Sequence, residues 1–169
     1  MKKMIAVLAA LTMLLSVSAC GKGSSDPGST DLATVTGDDV VSVSCEGIYS
    51  DISAVVNFPE MVSVQPKSLS NRYGIEQNMY NDYVFMTAQE ATLCDTVIIV
   101  NTNSRESKDA VIEKLELFIK QSRETNVDYN PDQYEIIKDA SVKTSGDYVY
   151  LVFSSDSTLI EEMIKERLQ

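Results

Sequence analysis

Tyr148-Val149-Tyr150-Leu151-Val152-Phe153, entered through Ser145-Gly146-Asp147, is the stretch on which the fold turns. Its β-branched and aromatic residues suit a pleated, half-buried surface, and Gly146 supplies the positive φ that a tight hairpin needs. Ser141-Val142-Lys143-Thr144, ahead of the turn, is then its partner strand. Side chains alternate along a strand, so Val149, Leu151 and Phe153 share one face while Tyr148, Tyr150 and Val152 share the other. Assigning the first set to covering helices leaves the second on an open sheet face, beside Tyr83 or Val84 of a second hairpin.

That second hairpin lies upstream. Tyr83-Val84-Phe85-Met86-Thr87 and Thr96-Val97-Ile98-Ile99-Val100 are both strand-like and joined by a short connection. Ser104 caps a long helix behind them, with Val111, Leu115, Phe118 and Ser122 on one stripe and Ile112 and Ile119 widening it. A loop is expected at Thr125 to Asn130, then a short helix from the Asn130-Pro131 pair through Tyr134, Ile136 and Ile137. After the last strand, Asp156 or Ser157 opens a helix whose stripe is Ile160, Met163, Ile164 and Leu168. Nearer the start, Ser44 caps a helix carrying Ile48, Ile52, Val55 and Val56, and Pro66 begins another that Gly74 ends.

Strand, strand, helix therefore occurs twice. Neither hairpin can bury an apolar face alone, and the turns are too short for parallel crossovers. The reading is an α+β two-layer sandwich, with one four-stranded, mainly antiparallel sheet and helices on one face.

Four landmarks in order, Tyr73-Gly74-Ile75, Asp82-Tyr83, Tyr129-Asn130-Pro131 and Gly146-Asp147-Tyr148-Val149, resemble a family of small lipoproteins of Gram-positive anaerobes, the domain of unknown function 4358 family. The likeness covers about Cys45 to Gln169. It implies a compact α+β domain at the cell surface and transfers no catalytic residue; Cys45 and Cys94 stand outside its pattern.

The other end of the chain addresses location. Lys2 and Lys3 precede the 12-residue apolar stretch Met4 to Leu15, which ends at Val17-Ser18-Ala19-Cys20. The stretch is well short of the roughly 20 residues of a membrane span, so residues 1–19 read as a cleaved lipoprotein signal. Cys20 would then carry diacylglycerol and anchor the chain on the outer face of the cytoplasmic membrane. The competing reading is an ordinary secretory signal. Gly21 to Asp31 is rich in Gly, Ser and Asp and begins a flexible tether over 20–43, with a reach on the order of 25 Å. Residues 44–169 form the single folded domain.

Removing residues 1–19 takes Lys2 and Lys3 from a chain of net charge −11, leaving −13 on 150 residues. No basic stripe appears, which excludes nucleic acid as partner, and the acidic surface stands off an anionic bilayer. The lipid on Cys20 is thus the expected membrane contact.

There is no histidine, which removes the commonest general base and zinc ligand. Ser104-Arg105-Glu106-Ser107-Lys108 lacks Ser-x-x-Lys spacing and reads as a helix start. Asp128, Asn130, Asp132 and Asp139 echo a calcium loop, but Gln133 stands where glycine is needed and Pro131 stiffens the segment. Neither a cofactor nor a metal is expected. Cys45 and Cys94 could pair in an oxidising compartment or serve as small core hydrophobes; no basic neighbour activates either thiol. The expected function is a non-catalytic binding module for a surface protein or wall component, docking through Tyr83, Tyr148 and Tyr150. The alternative is a small enzyme or thiol/disulfide protein using Cys45 and Cys94.

Overall fold

In the computed structural model, which describes residues 43–169, five strands and five α-helices follow in the order α1 (Cys45–Ser53), β1 (Met61–Ser63), α2 (Pro66–Tyr73), β2 (Tyr80–Ala88), β3 (Thr96–Thr102), α3 (Arg105–Tyr129), α4 (Pro131–Ile137), β4 (Lys143–Ser145), β5 (Tyr148–Phe153) and α5 (Ser157–Arg167). A 3-10 turn at Gln77–Met79 leads into β2. The signal, Cys20 and the tether as far as Ser42 lie outside the described residues.

The sheet order is β1-β2-β3-β5-β4, antiparallel throughout. The α+β class and both hairpins agree with the sequence. The strand count does not, because β1 pairs Met61, Val62 and Ser63 with Ala88, Thr87 and Met86. Three residues between Pro59 and Pro66 are too few to show a period of two; their strand conformation comes from the partner edge.

Helices cover both faces of the sheet, so the two-layer expectation is corrected to three layers. On one face α1 and α5 bury Val84, Val97, Ile99, Tyr150 and Val152. On the other, Phe85, Ile98, Val100, Val149, Leu151 and Phe153 pack with Leu69 of α2, Val111, Leu115 and Ile119 of α3 and Ile137 of α4. Every residue of β3 is buried. An uninterrupted run such as Val97-Ile98-Ile99-Val100 fits two-sided coverage, whereas a strand open on one side alternates. The repeated strand-strand-helix order is accordingly not a repeat of packing, since α3 and α5 lie on opposite faces.

Local signals largely place the ends. Ser44 Oγ accepts the Gly47 N–H, Ser104 Oγ accepts the Ser107 N–H, and Gly74 ends α2 at φ 66°. Gly146 turns the β4–β5 hairpin at φ 53°. The loop expected at Thr125 to Asn130 is instead the last turn of α3, which runs on to Tyr129 and meets α4 at a sharp elbow. The Asn126 amide supports this turn by donating to the Ser122 carbonyl.

Candidate functional site

The register decides the fate of the three tyrosines. Val84, Ile99 and Tyr150 form one cross-strand row, and Asp82, Asn101 and Tyr148 form another on the same face. Tyr83 pairs with Val100 on the opposite face. Tyr150 is 6% exposed beneath α1 and α5. Tyr148 is half-buried there, its hydroxyl donating to the Val43 carbonyl at 2.7 Å. On the far side, Tyr83 sets its ring edge-on to Tyr80, 4.9 Å between centroids, and donates to the Val64 carbonyl at 3.0 Å. The expected docking face of Tyr83, Tyr148 and Tyr150 is therefore split across the sheet and covered. These tyrosines are packing groups whose hydroxyls, for Tyr83 and Tyr148, fasten loops to the sheet.

The Asp82–Asn101–Tyr148 row receives the start of α1. A register shift between Tyr80 and Asp82 precedes the Asp82 carboxylate, whose Oδ2 accepts the Cys45 N–H at 2.7 Å; such irregularities re-aim side chains. A helix N-terminus ordinarily lowers a thiol's pKa. At Cys45 burial, reinforced by the Asp82 charge and its hydrogen bond to the thiol, wins and pushes the pKa well up. Cys45 is thus held as a thiol, not as a nucleophilic thiolate.

Cys94 lies in the β2–β3 loop, its N–H donating to Gln133 Oε1 at 2.7 Å. Burial and then the charge of Asp95 push its thiol up, against a hydrogen bond from the Asn126 side chain. Both cysteines are free. Cys45 packs on the α1/α5 face and Cys94 on the other. The length of β2 also separates them, about 20 Å at about 3.4 Å per residue, whereas a disulfide needs Cα atoms within about 7 Å. The proposed pairing is corrected on this geometry.

The β2–β3 loop and the α3–α4 elbow are tied together at one end of the sheet. Asn130 Nδ2 donates to the Thr92 carbonyl at 2.8 Å, and Cys94 donates to Gln133 across the same junction. Asn130 is the residue between the two helices, with its amide spent on this loop. Among the described residues no group of three acidic or cysteine side chains is placed to hold a metal ion. Elsewhere, a groove of about 420 Å³ at the β4 edge runs between α4 and α5. It is lined by Glu135, Asp139 and the ion pair Lys143–Glu161, 3.9 Å apart.

The family model described as "Domain of unknown function (DUF4358)" matches residues 54–154, more than half of the chain. The chain belongs to the DUF4358 family. The match is narrower than the Cys45 to Gln169 span of the sequence resemblance. Among the described residues of this DUF4358 chain it takes in all five strands and the α2–α4 layer, while α1 and α5 flank it. No curated protein and no solved structure matches the chain.

Two features of this DUF4358 domain went unread in the sequence. Asp82 is a hydrogen-bond partner for α1 from 37 residues away, for which no local signal exists. Tyr129 is 90% exposed at the end of α3. Val127 falls off the stripe through Val111, Leu115, Phe118 and Ser122, but Tyr129 continues it, so the helical pattern does not announce that exposure. Among the described residues no helix is long and apolar enough to cross a membrane.

Proposed function

We propose that this DUF4358 chain is an extracytoplasmic lipoprotein, held on the outer face of the cytoplasmic membrane by diacylglycerol on Cys20, whose α+β domain is a non-catalytic binding module for a surface protein or wall component. The observation that carries the choice of binding over chemistry is the state of the thiols. In a chain without histidine, Cys45 and Cys94 are the prime candidates for a nucleophile, and burial raises both pKa values, with a carboxylate adding to each. Their placement on opposite faces also weighs against a dithiol mechanism. The Val17-Ser18-Ala19-Cys20 box and the lysines ahead of the apolar stretch support the anchor.

Metabolic labelling with a fatty acid tests the anchor. The parent chain takes up label and fractionates with membranes, whereas Cys20→Ser is unlabelled. A Cys20→Ser chain that keeps its label refutes the lipoprotein assignment. For the domain, a Cys45→Ala, Cys94→Ala chain retains the parent's partner crosslinks; their complete loss in a folded variant returns the thiols to the function.

A further inference from the structure

The end of the domain built from the β2–β3 loop and the α3–α4 elbow is acidic, and among the described residues Glu90, Asp95, Asp128 and Asp132 are in no ion pair. The sequence has no Lys or Arg between Arg72 and Arg105, nor between Arg123 and Lys138. Folding brings these two cation-free segments together through the Asn130–Thr92 and Cys94–Gln133 hydrogen bonds. The loop contributes Glu90 and Asp95, and the elbow contributes Asp128 and Asp132. The charge of Asp156 is felt at Asp95 as well. Arg123, the nearest cation along α3, is engaged with the carbonyls of Ile137 and Ala140 at 3.3 and 2.7 Å.

Into this field the elbow projects an aromatic ring. Tyr129 is 90% exposed and Val127 47% exposed, beside exposed Pro131. The platform is also preorganised: the Thr92 hydroxyl donates to Glu90 at 2.5 Å while the Thr92 carbonyl receives Asn130. An exposed tyrosine at an end of the domain that carries several carboxylates suits a guanidinium or ammonium group, which gains from the ring face and from the acidic field together. The carboxylates are spread over two elements and do not converge on one point, which fits several spaced charges better than a single ion.

Building on the binding-module reading, we propose that this acidic end is the docking surface for a partner protein's Lys- and Arg-bearing segment, with Tyr129 as the aromatic anchor. The test places the photocrosslinker p-benzoylphenylalanine at position 129 of the full-length chain in isolated cell membranes. Control chains carry it at the exposed positions 117 on α3 and 159 on α5. The expected result is an adduct at 129 whose partner peptide contains Lys or Arg. Its yield falls about tenfold or more in a Glu90→Gln, Asp128→Asn, Asp132→Asn chain that unfolds at the parent's temperature. It falls likewise in about 1 M salt, where the screening length is about 3 Å.

A peptide without basic residues, or a yield insensitive to both neutralisation and salt, overturns the proposal. So does a wall-fragment adduct at 129, or adducts only at 117 or 159, although these leave the binding-module reading standing. No adduct at any of the three positions counts against both.

Discussion

Replacing Tyr150 by alanine separates a covered sheet face from an open one. Tyr150 is 6% exposed, with Ile99 and Val84 alongside in its row and α1 and α5 above. A buried tyrosine removes about 150–200 Å² from water, worth about 4 kcal/mol at about 25 cal/mol per Å². The alanine methyl keeps part of this, and the cavity it leaves adds a cost, so the net loss is about 3–4 kcal/mol. For a domain of this size that lowers the melting temperature by about 10–15 °C and the urea midpoint by about 1.5–2 M. The comparison is Tyr129→Ala, where 90% exposure limits the change to about 0.5 kcal/mol. Urea unfolding followed by far-UV circular dichroism reads both. A Tyr150→Ala chain within about 1 kcal/mol of the parent would refute the covered face and restore Tyr150 as a surface residue.

Three further outcomes are expected. In a Cys20→Ser chain, maleimide modifies Cys94 slowly and Cys45 only after denaturation, because Cys45 is fully buried and its thiol is raised further; mass spectrometry showing equal native rates contradicts the Cys45 corner. The Asp95 carboxyl is pushed up mainly by burial, with the Asp156 charge adding to it. Its ionisation therefore costs the folded state more than the unfolded chain: the protonated form's benefit is full below the ordinary carboxylate range and is lost as pH rises through the raised value. Asp95→Asn should then melt higher than the parent at neutral pH, the gap closing as pH falls into the carboxylate range; a gap independent of pH would dismiss that cause. Gly146→Ala meets open space but a φ of 53°, so it costs about 1 kcal/mol from backbone strain, and Gly146→Asn costs less. Equal stabilities for the two variants would count against a left-handed turn.

The helices were legible because their signals are local. Ser44, Ser104, Pro66, Gly74 and the Asn130-Pro131 pair each satisfy or block backbone groups within one turn. The extension of α3 to Tyr129 is not legible locally because the stripe turns polar at Ser122, Thr125 and Asn126, and only the elbow's contacts with the β2–β3 loop show why the helix ends there. The candidate site was the least legible part. Alternation within β5 puts Tyr148 and Tyr150 on one face without saying whether that face is free, and the unbroken run Val97-Ile98-Ile99-Val100 carries the opposite message.

By itself the sequence determined the α+β class, the two hairpins, the capped helices and the acidic, histidine-free composition, since period, turn chemistry and charge depend on near neighbours. Only the tertiary structure decided that both sheet faces are covered and that β1 exists. It alone set Cys45 and Cys94 on opposite sides and joined two cation-free segments at one end. Each of these depends on which distant element lies across a strand or over a face. An amphipathic helix carries the same stripe whichever side of the sheet it covers, so its sequence pattern does not specify the side.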